Sequence, residues 1–201
     1  TTKSINDNAQ RYYAKYQKLK RRQKEVTAQI KQTKEDLQYI DTLHQSMQTI
    51  DLQDIDDVRE EMINAGFLKK KKSKQQHKQK NKKSHENYIT TTASTGETIL
   101  IGKNNKQNDY ITTKKAQNNH LWFHIKDMPG SHVVILDSEP TDEAIEQAAQ
   151  YAAGYSSAHM SDNVEVDYTY IKHVHKPSGA KPGFVTYDHQ TTVNVTPKIL
   201  S

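Results

Sequence analysis

Cysteine is absent from the 201 residues, which excludes disulfides and cysteine-ligated zinc and agrees with a reducing compartment. Apolar side chains are also scarce. Hydrophobic residues make up 33% of the chain, charged residues 26%, and the mean hydropathy is -0.99, so part of the chain is expected to lie outside any core. No apolar run approaches the ~18 residues that a membrane span needs, and no signal-peptide pattern is present. The expectation is a soluble, cytoplasmic protein without a membrane partner. Thr1 to Asn8 is polar and does not start with methionine, which reads as part of a longer protein.

A net charge of +5 conceals an uneven distribution. The first 68 residues carry 11 basic and 11 acidic side chains; Lys69 to Lys83 holds nine lysines and no acid; the remainder has nine lysines against 13 acids. Nucleic-acid binding by the C-terminal part must therefore rest on local clustering rather than on total charge. The linker is taken as residues 67–87, and its lysine-rich tract, from Lys69 to His85, has no apolar residue to bury. Its lysines would attract phosphate by counterion release, without sequence preference.

Tyr12, Tyr16, Leu19, Val26, Ile30, Leu37, Ile40, Met47 and Ile50 keep a 4-3 alternation, which predicts a coiled-coil helix roughly 58 Å long. Its seam needs a partner: a helix in a missing part of the parent protein, or a second copy. Asp51 to Glu61 is acidic, with Ile55, Val58 and Met62 at helical spacing, and Gly66 follows. This predicts a short return helix from Leu52 to Asn64 whose acids serve as cap and solvent-facing charges. Arm and return helix together are assigned to residues 1–66.

From residue 88 to 201 the pattern changes to that of a compact domain. Thr98–Gly102, Leu121–Ile125 and His132–Leu136 read as strands, and Val164–Val174 and Gly183–Val195 as two further ones. Asn104–Asp109 is dense in turn formers, with Tyr110–Thr113 resuming an extended run. Thr141 is expected to cap a helix bearing Ala144, Ile145, Ala148, Ala149, Ala152 and Tyr155 on its inner face. Replacing Gly130, in the Met128–Ser131 turn, is expected to damage folding if that turn needs positive φ. The fold class is α+β.

Candidate RNA-binding residues follow from local chemistry. Lys103, Asn104, Asn105, Lys106 and Asn108 place ammonium and amide donors just after a glycine, where backbone can approach phosphate. Lys114, Lys115 and Lys126, then Lys172, His173, His175, Lys176 and Lys181, extend the basic set. Trp122, the sole tryptophan, could stack on a base but sits in an apolar strand and reads first as core. Asp109 suits the organisation of the polar turn. Asp109, His124, Ser131 and His132 contain the residue types of a relay or a metal site, but in no diagnostic spacing. Turn-ordering contacts or contacts to RNA are expected of them instead, with no catalytic residue, metal or cofactor.

ILIGKNNKQNDYIT, LWFHIKDMPGSHVVI and KHVHKPSGAKPGFVTYDHQTTVNVTP, in this order, resemble the NFACT-R domain. NAQRYYAKYQKLKR and REEMINAGFLKK resemble the middle region of the same NFACT family, whose bacterial members are described either as fibronectin-binding proteins or as ribosome-associated quality-control factors. The resemblance implies a protein that binds large ribosomal subunits obstructed by peptidyl-tRNA. It also implies recruitment of tRNA (alanine tRNA in bacteria) for C-terminal tailing of stalled chains, with peptidyl transfer left to the ribosome. It implies a missing N-terminal half as a further partner. The alternative implied partner is fibronectin, bound by an adhesin at the bacterial surface.

Overall fold

The computed structural model describes residues 4–70 and 86–200. Most of the expected linker, residues 71–85, lies outside the described residues. Two compact units form, Thr1–Ile40 and Asp41–Ser201. The acidic helix therefore belongs to the same unit as the sheet.

The first unit is helix α1, which spans Ile5–Thr49 and so continues into the second unit. A reciprocal cap starts it. Ser4 Oγ accepts from Asp7 N (3.1 Å) while the Asp7 carboxylate accepts from Ser4 N (3.2 Å), satisfying donors that the first turn leaves open. The expected seam residues Tyr12, Tyr16, Leu19, Val26, Ile30 and Leu37 are all exposed.

In the second unit a 3-10 turn at Leu52–Asp54 leads into α2, Ile55–Asn64. Gly66 (φ 83°) ends α2 as expected: Gly66 N donates to Ile63 O and Phe67 N to Met62 O, the paired bonds of a Schellman cap. The strands are β1 (Ile89–Thr92), β2 (Thr98–Ile101), β3 (Leu121–Ile125), β4 (Val133–Ile135), β5 (Val164–Tyr170) and β8 (Thr191–Val195). They form one antiparallel sheet in the order β1-β2-β4-β3-β5-β8. A separate ribbon pairs β6 (Val174–His175) with β7 (Thr186–Tyr187). The fold is α+β.

Strand periodicity decides which face each side chain meets. Ile99, Ile101, Leu121, Phe123, Ile125, Val133, Ile135 and Val166 face helix α4, Asp142–Gly154. That helix presents Ala144, Ala148, Ala149, Ala152 and Ala153, all buried, so its backbone lies close to the sheet. Thr141 caps it, its hydroxyl accepting from Ala144 N (3.2 Å). Leu100, Trp122 and Val134 point to the opposite face, where Ile111, Ile171, Tyr187 and their neighbours cover them.

Two expectations need correction. Asn105–Tyr110 is a helix, α3, and Ile111–Lys115 follows as a π-helical turn, so no extended run begins at Tyr110. Gly130 does not have positive φ. Glycine is required there because a Cβ would stand 2.7 Å from Ile125 Cγ2 and 3.0 Å from Ser156 Cβ, where residues 130 and 156 form a bridge. Gly130→Ala is therefore expected to lower stability by about 1–3 kcal/mol through overpacking. Gly66→Ala, with open space around its Cβ position, should cost only about 1 kcal/mol. Denaturant unfolding of the two variants checks the order.

Candidate nucleic-acid interface

α3 is one turn and a half, too short to hold itself together by its own backbone bonds. Side chains compensate. Asn104 caps it by accepting from Gln107 N (3.0 Å), and Gln107 Oε1 accepts in return from Lys103 N (3.0 Å). This resembles a capping box, with the return bond taken from the residue before the N-cap and not from the N-cap itself. Gly102 lets α3 come this close, since a Cβ there would lie 2.2 Å from Asn108 Oδ1.

The segment then meets the acidic residues. Lys103 Nζ is 2.6 Å from Asp54 Oδ2 and 2.8 Å from Asp51 Oδ2; Lys106 Nζ is 2.6 Å from Glu60 Oε2 and 3.3 Å from Asp57 Oδ1. Asn105 Nδ2 donates to Glu61 (2.9 Å) and to Thr42 Oγ1 (3.1 Å), and Gln107 Nε2 to Asp54 (3.1 Å). Side-chain exposure is 5% for Lys103 and 1% for Asp54, so this pair is shielded from water. Burial by itself disfavours the Lys103 ammonium, but the hydrogen bonds and charges of Asp51 and Asp54 outweigh it and raise its pKa; Glu60 and Asp57 do the same for Lys106.

This arrangement corrects the reading of α2's acids as solvent-facing, since Asp54, Asp57 and Glu61 are buried. Their 3-4 spacing puts them on one helix face, a signal present in the sequence that complements the donors at 103–107. Lys103, Asn104, Asn105 and Asn108, singled out for RNA, are likewise buried. In this arrangement Lys103 and Lys106 present their ammonium groups to carboxylates of the same chain.

The remaining candidates divide between core and surface. Asp109 accepts from Lys176 Nζ and from Gly183 N (3.0 Å), pinning the Lys176–Gly183 loop over α3. Trp122 is fully buried, stacked on His124 (centroids 5.6 Å apart) and edge-on to His132 (5.1 Å), so its ring is core and not a platform for a base. Ser131 is buried. His132 Nδ1 pairs with Thr112 Oγ1 (2.8 Å), and its backbone N donates to Asn108 Oδ1 (3.0 Å). No Ser–His–Asp relay joins these candidates, because Asp109 faces a lysine and His132 a threonine. Lys172 is exposed, with its ammonium over the Tyr170 ring; Lys181 is half-buried over Phe67. Lys114 and Lys115 on the π-helical turn are exposed as well.

Residues 87–188 match the NFACT protein RNA binding domain, and residues 1–81 the NFACT N-terminal and middle domains. The chain belongs to the NFACT family. It is 49% identical over 196 residues to the Rqc2 homolog RqcH of Bacillus subtilis (strain 168), and 46% identical over 193 residues to the protein so named in Streptococcus suis (strain 05ZYH33). These alignments take in 97% and 96% of this chain but 34% of each relative, so the chain spans about a third of their length. Among solved structures, the C-terminal part of the fibronectin/fibrinogen-binding protein from Streptococcus suis superposes with a TM-score of 0.84 at 43% identity. That match covers 98% of this chain and 77% of the other. In this NFACT chain the α2–α3 contact crosses from the segment matched by the middle domains to the RNA-binding segment.

Lys103→Ala is expected to destabilise the second unit by about 3–5 kcal/mol, because it strands a buried carboxylate. Chemical denaturation of this variant beside Lys114→Ala, which should change stability by less than about 0.5 kcal/mol, checks the difference.

Desolvation holds the pKa of His132 well below the usual 6.5, reinforced by neighbouring His124, whose own pKa burial also lowers. A depressed imidazole pKa means that the unfolded chain binds more protons than the fold between the folded value and 6.5. Stability is therefore lost as pH falls below about 6.5. His132→Asn keeps an acceptor for Thr112 and should flatten the slope of melting temperature between pH 7 and 5; an unchanged slope would exclude His132 as its source.

Proposed function

We propose that this chain is the RNA-binding part of a ribosome quality-control factor, acting in the cytoplasm on large ribosomal subunits obstructed by peptidyl-tRNA. In this reading it helps recruit tRNA for C-terminal tailing (alanine in bacteria), in concert with an N-terminal half of the parent protein. The observation that carries the reading is the match of residues 87–188 to an RNA-binding domain, inside an alignment running nearly end to end with proteins named RqcH. The chain's part is positional, without catalysis. In support, the polar residues of relay type are committed to ordering the fold: Asp109 to Lys176 and Gly183, His132 to Thr112 and Asn108.

Exposure favours some of the candidate lysines over others as contacts to RNA. Lys114, Lys115 and Lys172 are exposed and belong to the covered domain, whereas Lys103 and Lys106 face carboxylates. Phosphate contact is assigned to the exposed set, with the lysine tract that follows Leu68 adding affinity without sequence preference.

A second reading, fibronectin binding at the cell surface, draws on the name of the structurally similar Streptococcus suis protein. No helix among the described residues is long and apolar enough to cross a membrane, which leaves surface display undecided.

Binding of the whole chain to labelled tRNA, large ribosomal subunits and immobilised fibronectin over a salt series separates the two readings. The triple variant Lys114→Glu, Lys115→Glu, Lys172→Glu is expected to weaken RNA and subunit binding by tenfold or more and to shallow the salt slope. Tight, salt-resistant fibronectin binding without RNA binding would favour the adhesin. Removal of residues 1–87 is a poor substitute for the triple variant, because it would leave Lys103, Asn105 and Gln107 without their α2 partners.

A further inference from the structure

One group of metal-ligating side chains lies apart from α3, next to the exposed Lys172. His173 ends the 3-10 turn at Ile171–His173, and Asp188 and His189 occupy the connection between β7 and β8. Each offers one ligand atom, and the three atoms lie within 4.8 Å of one another. His173 Nδ1 is 3.2 Å from Asp188 Oδ1, His189 Nε2 is 3.9 Å from the same oxygen, and the two rings are 4.5 Å apart.

The backbone brings these groups together. Asp188 N donates to His173 O (3.2 Å), tying the turn to the connection. Thr169 Oγ1 reaches the carbonyl oxygens of both Asp188 (3.0 Å) and His189 (3.3 Å) from β5. His189 has φ 53°, a conformation uncommon for a residue with a side chain. Such strain persists only where surrounding contacts hold it.

We propose that His173, Asp188 and His189 bind a divalent transition-metal ion, of which Zn2+ is the representative. Around a four-coordinate ion with bonds of about 2.1 Å, ligand atoms stand about 3.4 Å apart. The His173–Asp188 separation already matches this, and the exposed His189 ring needs only a small rotation. Two imidazoles and one carboxylate select zinc, nickel, copper or iron(II) over magnesium or calcium, which prefer all-oxygen sets. Asp188 and His189 are exposed, so the remaining coordination position opens to solvent and takes water or an anionic oxygen. The bound ion clamps the 3-10 turn to the β7–β8 connection. Its ligands are distinct from the lysines assigned to RNA, though His173 adjoins Lys172, and metal binding is read with the lysines unchanged.

Zn2+ titration of the whole chain by calorimetry, and by competition with a chromogenic chelator, tests the site against His189→Asn and Asp188→Asn. Asparagine tolerates the left-handed backbone at 189, so the fold is retained while the imidazole is removed. The expected result is one saturable Zn2+ site per chain that each substitution weakens by about tenfold or more, with Mg2+ failing to compete. Saturating Zn2+ should also raise the melting temperature of the unsubstituted chain and not of the variants. Absence of a saturable site would overturn the proposal. So would Zn2+ binding undiminished in both variants, which would place the ion on other histidines.

Discussion

A lysine with 5% of its side chain exposed survives in a fold only if its charge is answered at close range, and Lys103 is answered by Asp51 and Asp54 within 3 Å. Much of the second unit's polar architecture follows from that pairing. An ammonium and a carboxylate removed from water each cost several kcal/mol, and their attraction offsets this only when hydrogen bonds satisfy what remains. Gln107 supplies such a bond to Asp54, and Asn105 supplies one to Glu61. The contact specifies how α2 seats on α3, since shifting either element would leave a charge stranded. It joins two stretches that lie on either side of the lysine tract.

On the other side of α3 further polar contacts, one of them charged, tie the fold together. Asn108 receives the backbone N–H that opens β4, Thr112 meets His132, and Asp109 gathers the Lys176–Gly183 loop. Together these fix a loop rich in lysine, proline and glycine above the second sheet face. Beneath it lie Trp122, His124, His132 and Tyr187, packed ring against ring. Desolvation keeps both imidazoles neutral, so the cluster behaves as an aromatic core with polar edges. Burial pushes the Tyr187 hydroxyl up as well, followed by its hydrogen bond to Asp167 (2.9 Å), a second polar tie from the ribbon to β5.

In a domain that matches the NFACT RNA-binding model, this division bears on the outward charge. Positive charge engaged with carboxylates does not add to the field that attracts phosphate, whereas exposed lysines on the π-helical turn and beyond β5 do. The partners of Lys103 and Lys106 lie on the α2 segment, so this pairing leaves the excess of acids from residue 88 onward unaltered, and attraction for phosphate must come from where the exposed lysines cluster.

Periodicity alone carried the long helix, strands β2, β3 and β4, the Thr141 cap and the alanine face of α4, because each depends on neighbours within a few residues. The Gly66 cap was legible for the same reason. Three motifs also sufficed to place the chain in its family. What the sequence did not disclose depends on residues distant in the chain. Six residues rich in asparagine and lysine read as a turn, although Asn104 and Gln107 had the spacing of a helix cap; the carboxylates of α2 add the distant contacts that hold that short helix. The acids at 54, 57 and 61 shared a face, but which surface would cover that face was a tertiary question. Likewise, Gly130 is needed for the room it leaves to Ile125 and Ser156, not for a backbone angle of its own. Local sequence determines which conformations a segment favours; burial and charge pairing across the fold decide which of its side chains remain available to a partner.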